Sequence, residues 1–246
     1  EPFLRLVNQG MILGEDNQQM SKSRGNVINP DDLIQEFGAD SIRLYEMFMG
    51  PLEMSKPWST KGLEGVNRFL ARVWRLFIQD GQLHPQIKVQ EAGKEEIKSL
   101  YKTIKKVTDD LEGLKFNTAI SALMIFINEE MVRTTHSREV LSQFILLLAP
   151  FAPHMAEELW QHLGAKKTLA YESWPSYDEQ LLVEAEVEIG IQILGKLRSR
   201  VLVPKGMAEN ELKERVLGDE TVRKWIGGRP IKKFIVVLHA KGLIRG

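Results

Sequence analysis

Near its start the chain contains the stretch Gln19-Met20-Ser21-Lys22-Ser23-Arg24-Gly25-Asn26. Lys22 lies between two serines, and an arginine and a glycine come after them. A lysine ammonium on a flexible stem is a common phosphate binder, and hydroxyls add adaptable hydrogen-bond donors. Gly25 permits a tight turn or a close approach to a ligand. On composition alone, a solvated basic turn is favoured over a phosphate-binding loop by about two to one, because isolated motifs often match by chance.

The likeness of this stretch to a known signature changes that balance. Residues 20–23 match four of the five positions of the Lys-Met-Ser-Lys-Ser signature of class I aminoacyl-tRNA synthetases, and Gln19 stands where that family usually has lysine. The similarity continues through the ranges 25–31 and 37–45. Together with later motifs and its tail, the chain resembles the bacterial-type leucyl-tRNA synthetases over essentially all of its length.

The resemblance implies an ATP-dependent ligase that activates leucine and transfers it to tRNA-Leu. In that family, a cation that meets the departing phosphates of ATP stabilises the transition state of the activation step. By resemblance, Met20, Ser21, Lys22 and Ser23 bind ATP, and Lys22 is the catalytic residue. The family's His-x-Gly-His signature does not occur in this sequence. We therefore expect ATP, with its Mg²⁺, and leucine to be bound mainly by a preceding part of a longer enzyme, and this C-terminal part to be inactive alone.

The composition excludes several classes of protein. The 246 residues contain no Cys, which excludes a disulfide framework and a thiolate metal site. No apolar run approaches the ~18 residues that a membrane span needs, and the start has no signal-peptide pattern. No His cluster or carboxylate pair indicates a metal site or hydrolysis. We expect a cytoplasmic protein without membrane contact, and the resemblance implies a monomer for the full enzyme.

The patterns predict a mainly α chain, and its length favours two or three domains. Residues 1–58 are predicted to be the end of a catalytic domain, with the signature loop and helices that contact the tRNA stem. A short helix and then a strand are expected within residues 3–13, ahead of the signature loop. Asn29 and Pro30 are predicted to start a helix that Gly38 ends, and a second helix comes directly after it.

Residues 59–183 are predicted to be a helical bundle of the class I anticodon-binding type. Apolar residues recur at spacings of three and four through residues 59–164, which is a helical period. Gly and Pro divide this region into five amphipathic helices with short connections, as in an α-helical bundle. Asn117 or Thr118 is expected to cap the third of these helices, and Ser137 the fourth.

Residues 184–246 are predicted to be a small α+β domain that binds tRNA. Alternation with a period of two predicts strands over 186–193 and 197–203, joined by a turn at Gly195-Lys196. A helical stretch in two parts comes next, and the β-branched run 231–238 predicts a third strand.

Basic residues in two regions are candidates for contact with the tRNA backbone. From residue 184 onward, 13 Lys and Arg stand against 8 Asp and Glu, a net charge of +5 in a chain whose formal charge is zero. For the arginines of the bundle, a solvated face and an RNA contact are equally consistent with the pattern, and the resemblance favours RNA. Arg43 could pair with Asp40 or reach the acceptor stem of tRNA, and we expect the structural pair. The candidates are Arg68, Arg72 and Arg75 on one helix face, Arg198 and Arg200 on one strand face, and Lys232 and Lys233 in the tail.

Other functions are also consistent with the sequence. A non-catalytic tRNA-binding subunit of a split synthetase would contain the same residues and differ only in whether its chain continues upstream. Synthetases of the valine and isoleucine type share the loop and the bundle. The isoleucine type often carries a Cys-based zinc tail and the valine type usually ends in a coiled coil, so the alternating strands of this tail favour the leucine type. A purely structural helical scaffold would leave the signature loop unexplained.

Overall fold

The computed structural model describes residues 2–182, 186–204, 207–228, 231, 234–235 and 243–244. The chain divides into two compact units, Glu1–Asp178 and Glu179–Gly246. The fold is mainly α, as the sequence predicts, with the signature loop and the helical bundle in the first unit and a small sheet in the second. No helix in the described ranges is long and apolar enough to cross a membrane.

The segment before the signature loop is extended rather than helical. Strand β1 (Ile12–Leu13) pairs in parallel with β2 (Lys56–Pro57). Just before β1, the N–H of Gly10 donates to the carbonyl of Leu52 at 2.8 Å. The prediction of a short helix within residues 3–13 is therefore wrong, because backbone groups that a helix would pair internally are used by the chain that leads into β2.

Two short helices come after the loop. Helix α1 (Pro30–Phe37) and helix α2 (Ala39–Phe48) meet at Gly38, whose φ of 83° requires a residue without a Cβ. The side chain of Asn29 accepts a hydrogen bond from the N–H of Asp31 at 3.2 Å, so the predicted cap is confirmed.

Five further helices form the bundle, as the helical period predicts. They are α3 (Thr60–Phe77), α4 (Lys94–Glu112), α5 (Phe116–Glu130), α6 (Arg138–Leu148) and α7 (Pro153–His162). Their inward faces form one apolar core that also includes residues of α2. Phe126 of α5 and Phe144 of α6 stack in this core with ring centroids 5.1 Å apart. Trp58 lies buried beside the ring of Tyr45, at a centroid distance of 4.9 Å, and anchors the connection into α3.

Short strands tie the connections between the bundle helices. Strand β3 (Ile78–Gln79) pairs with β4 (Gln82–Leu83), and β5 (Ile87–Lys88) pairs in parallel with β6 (His136–Ser137). The helical period shows neither pair. The first is a local hairpin whose turn residues, Asp80 and Gly81, both have positive φ, and the second joins residues far apart in the sequence.

Of the two predicted helix caps in this region, one is wrong and the other has the right position without the side-chain bond. Helix α5 begins at Phe116 with Lys115 as its N-cap, so the prediction of Asn117 or Thr118 is wrong. Ser137 is the N-cap residue of α6, as predicted, but its hydroxyl donates to the carbonyl of Gln90 at 3.2 Å and not to the helix start. The hydroxyl of Ser137 is therefore used by a backbone carbonyl that is distant in the sequence, and it is not available to the helix.

The second unit is a small α+β domain. Its elements are α8 (Glu179–Leu182), β7 (Glu186–Ile193), β8 (Lys196–Pro204), α9 (Glu209–Gly218), α10 (Glu220–Ile226) and β9 (Leu243–Ile244). Strand β7 lies between antiparallel β8 and parallel β9. Leu194 and Gly195 both have positive φ, at 52° and 76°, and form the tight hairpin turn. Most of the predicted strand 231–238 lies outside the described residues, and Ile231, Phe234 and Ile235 are not in a strand.

Candidate functional site

The signature stretch forms a compact turn on the surface of the first unit. Lys22–Arg24 is a single 3-10 turn in which the N–H of Arg24 donates to the carbonyl of Ser21 at 3.2 Å. Gly25 closes it in the left-handed region, with a φ of 68°. A side chain at this position would strain the backbone, which explains the glycine.

Asn26 joins the two sides of this turn. Its Oδ1 accepts a hydrogen bond from the N–H of Ser21 at 2.9 Å. Its Nδ2 donates to the two carboxylate oxygens of Asp16 at 3.2 and 3.1 Å and to the carbonyl of Gln19 at 3.3 Å. The sequence pattern includes Asn26 but gives no signal for these partners, so its role in shaping the loop is found only in the structure.

The cations of the loop differ in what they contact. The guanidinium of Arg24 donates to the side chain of Gln18 at 3.2 Å and so belongs to the frame of the loop. Lys22 is exposed, and its ammonium forms no hydrogen bond or ion pair with any residue that the structure describes. The hydroxyls of Ser21 and Ser23 lie 3.2 Å apart beside it. This arrangement offers an ammonium and two hydroxyls to an anion without first breaking an internal ion pair.

Met20 is placed differently from the three residues that come after it. Its side chain is half-buried and packs against the core of the first unit. It lines a surface groove together with Gln19, Met47 and Phe116. Met20 therefore anchors one side of the loop, and its predicted contact with ATP stays a prediction.

Glu15 attaches the loop to the bundle. Its Oε1 accepts hydrogen bonds from the N–H and the hydroxyl of Thr60, at 3.0 and 2.8 Å. Thr60 is the first residue of α3. The sequence shows a turn at residues 14–17 but no signal for a partner 45 positions away.

Two exposed carboxylates beside the loop have a lowered pKa. The backbone N–H of Thr60, and then its hydroxyl, lower the pKa of Glu15. The backbone N–H of Gln18, and then the side chain of Asn26, lower the pKa of Asp16. Both groups accept hydrogen bonds as anions, which is why the charged form is favoured. Among the described residues, no cluster of His, Asp and Glu could hold a metal ion.

The predicted pair of Arg43 and Asp40 is wrong. The Asp40 carboxylate accepts from the N–H of Met155 at 2.7 Å and lies 2.8 Å from Nδ1 of His154, at the start of α7. Arg43 donates to the carbonyl of Pro150 at 3.2 Å. The free N–H groups of a helix start are a better partner for a buried carboxylate than an exposed guanidinium, because the helix dipole adds to the hydrogen bonds.

The three arginines of α3 are spaced along one face but have different environments. Arg68 is exposed and lies 3.7 Å from Glu64, one turn earlier. Arg72 is half-buried, and its Nε has no hydrogen-bond partner among the described residues. Arg75 is exposed and lines a groove of about 600 Å³ that also contains Asp40. The face is available to a polyanion, and its contact with tRNA stays a prediction.

The two strand arginines do not share a face. A β-bulge skips Arg198, because Ile191 pairs with Ser199 and the next residue pairs with Leu197. The guanidinium of Arg198 stacks on the ring of Trp225 at 3.7 Å, whereas Arg200 forms an ion pair with Glu188 on the adjacent strand at 3.2 Å. The expectation of a shared face is therefore wrong. Lys232 and Lys233 lie outside the described residues.

Family models match two segments of the chain. Residues 1–54 match the class I tRNA synthetases for I, L, M and V. Residues 94–213 match the anticodon-binding domain of tRNA ligases. The first match contains the whole signature loop, and the second begins at α4 and extends into the second unit.

A solved structure is similar over nearly the whole chain. It is the ternary complex of the Agrobacterium radiobacter K84 agnB2 LeuRS, described as LeuRS-tRNA-LeuAMS. The identity is 33%, the TM-score is 0.73, and the match covers 99% of this chain and 33% of the other. The chain thus spans about a third of the length of this LeuRS.

Proposed function

Because the chain belongs to the class I tRNA synthetases, we propose that it is the C-terminal part of a leucine–tRNA ligase. In this proposal it supplies the loop that meets the phosphates of ATP and the domains that bind tRNA-Leu. The main observation behind the proposal is that the ammonium of Lys22 lies in a hydrogen-bonded loop and has no partner among the described residues. The chain that contains this loop is similar to a LeuRS over 99% of its length.

Lys22 has the chemistry that the activation step needs. When the carboxylate of leucine attacks the α-phosphate, negative charge builds up on the departing pyrophosphate. An ammonium directed at that charge lowers the barrier because the attraction is stronger in the transition state than in the bound substrate. The hydroxyls of Ser21 and Ser23, 3.2 Å apart, can donate to the same phosphate oxygens. The loop is tied by side-chain hydrogen bonds at the surface, so it can adjust as ATP binds.

The architecture of the second unit favours leucine over valine and isoleucine as the proposed amino acid substrate of the ligase. The hairpin of β7 and β8 in this unit, with α9 and α10 packed on it, resembles the tail of the leucine-type synthetases in its order of strands and helices. The similar solved structure is also a LeuRS.

Leucine-dependent exchange between ATP and pyrophosphate tests the proposed activity in the complete ligase. We expect exchange with leucine to exceed exchange with valine or isoleucine, and we expect leucine to be transferred to tRNA-Leu. The 246-residue chain by itself is expected to give neither reaction. Exchange driven by valine or isoleucine would reassign the substrate, and leucylation by the chain alone would contradict its role as a part of the site.

Binding of tRNA-Leu by the chain alone tests the second half of the proposal. Affinity measured across a salt series gives the number of phosphate contacts, because each contact releases counterions. We expect Arg68→Gln and Arg75→Gln each to lower the salt slope by about one. Lys94→Gln, which removes an exposed charge from the start of α4, is the control and should leave the slope unchanged. No binding at low salt would contradict the proposal.

A further inference from the structure

The contact between Glu15 and Thr60 joins the signature loop to the helix with the three candidate arginines. Glu15 lies before the loop, and Thr60 begins α3. One carboxylate oxygen of Glu15 receives both the N–H and the hydroxyl of Thr60, at 3.0 and 2.8 Å. Bonds to an ionised acceptor are stronger than neutral ones, so this link between the two segments is stronger than a neutral pair at the same exposed site would be.

Helix α3 has another cap that does not touch the loop. The hydroxyl of Ser59 accepts a hydrogen bond from the N–H of Gly62 at 3.3 Å, which is the usual N-cap contact. Glu15 therefore adds a connection beyond what the start of α3 needs. Substitutions of Ser59 and Glu15 can therefore be compared directly, since Ser59 only caps the helix and Glu15 also holds the loop.

A short series of contacts leads from Glu15 to Lys22. Asp16, the next residue, accepts two hydrogen bonds from Asn26 at 3.2 and 3.1 Å. Asn26 in turn accepts from the N–H of Ser21 at 2.9 Å, and Ser21 directly precedes Lys22. Movement of Glu15 relative to α3 would shift this frame and the ammonium with it.

We propose that Glu15 is a positioning residue that sets the place of Lys22 relative to α3. The inference rests on the proposed function, because it assigns Glu15 to the same loop and the same reaction. Glu15 touches no reacting atom and acts through Thr60 on one side and the Asp16–Asn26 contact on the other. Since α3 also holds Arg68, Arg72 and Arg75, the helix that would contact tRNA also fixes the loop that would contact ATP.

Kinetics of pyrophosphate exchange in the complete ligase test this assignment with three variants. We expect Glu15→Ala to lower kcat by about 10- to 100-fold, the range for misplacing a reacting group by up to 1 Å, with a smaller change in KM for ATP. Ser59→Ala should stay within about twofold, because it weakens the same helix start without touching the loop. Glu15→Gln keeps the accepting oxygen and should recover most of the lost kcat.

Limited trypsin digestion of the 246-residue chain is a readout that does not depend on activity. Cleavage after Lys22 and Arg24 should be about 5- to 30-fold faster in Glu15→Ala than in Ser59→Ala, because a loop that loses an anchor opens more often. Equal kinetics and equal cleavage in the two variants would overturn the inference, as would a Glu15→Gln variant as defective as Glu15→Ala. If the native ligase lacks leucine-dependent exchange, the proposed function fails, and the digestion still decides whether Glu15 holds the loop.

Discussion

The signature loop and the core of the bundle are stabilised in opposite ways. Side chains such as Phe126 and Phe144 are fully buried and owe their stability to the removal of apolar surface from water. The loop is held by hydrogen bonds between exposed or half-buried groups, whose net contribution is small because water competes for the same groups. Lys22 lies in the middle of this loop without a partner among the described residues. The apolar core therefore stabilises the bundle to which the loop is attached, whereas the loop keeps the ammonium of Lys22 available to a ligand.

The greatest change that we expect is in stability, after a substitution in the core. Phe126→Ala removes a ring that stacks on Phe144 and should lower the free energy of unfolding by about 3–5 kcal/mol. Ile125→Ala is the matched control, since its side chain is 58% exposed on the same helix. Urea unfolding followed by tryptophan fluorescence measures both. Similar losses in the two variants would remove the contrast between core and surface.

The next change is in activity without a loss of stability. Lys22→Ala in the complete ligase should slow pyrophosphate exchange by about 10²–10³-fold, the usual result of removing one oriented stabiliser of the transition state. Because Lys22 has no partner among the described residues, the urea midpoint should not change. Lys94→Ala removes another exposed ammonium and should leave the rate unaltered. A normal exchange rate in Lys22→Ala would refute its proposed role.

A more modest change is expected where a polar contact joins two elements of the first unit. Asp40→Ala removes the carboxylate that accepts from the start of α7 and should cost about 1–2 kcal/mol of unfolding free energy. Glu36→Ala, an exposed acid on α1, should stay within about 0.5 kcal/mol. An equal loss in both variants would show that the Asp40 contact contributes nothing.

The smallest effect that we expect is a pH-dependent shift of one amide resonance, caused by the ionisation of Glu15 beside the loop. Thr60 lowers the pKa of Glu15, so the extra stabilisation from the ionised acceptor is present above the ordinary carboxyl value of about 4.3 and is lost as the pH falls through the lowered value. The amide resonance of Thr60 should therefore shift with a midpoint below about 4.3, and Glu15→Gln should abolish the shift. A midpoint at or above the ordinary value would contradict the contact.

Local patterns in the sequence predicted much of the fold. The period of the apolar residues located α3 to α7, and Asn29 was identified as a cap because its partner is two residues away. Contacts between distant residues were missed, because no period relates Glu15 to Thr60 or Asp40 to His154, which are 45 and 114 positions apart.

The errors have separate physical causes. The segment 3–13 pairs in an extended conformation instead of forming the predicted helix. One bulge at Arg198 separates two arginines that a regular strand would display on the same face. For the site, the motif identified Lys22 and its neighbours as far as Asn26, but it gave no signal that Glu15, Asp16 and Asn26 shape the loop.

Affinity labelling of the complete ligase decides whether Lys22 meets the phosphates of ATP. The reagent is an ATP analogue whose terminal phosphate carries a pyridoxal aldehyde, which forms an imine with a nearby lysine and is fixed by borohydride. Peptide mass spectrometry then identifies the labelled residue. We expect Lys22 to be modified and excess ATP to prevent the modification. Labelling of other lysines with Lys22 unmodified, or labelling that ATP does not reduce, would contradict this role of Lys22.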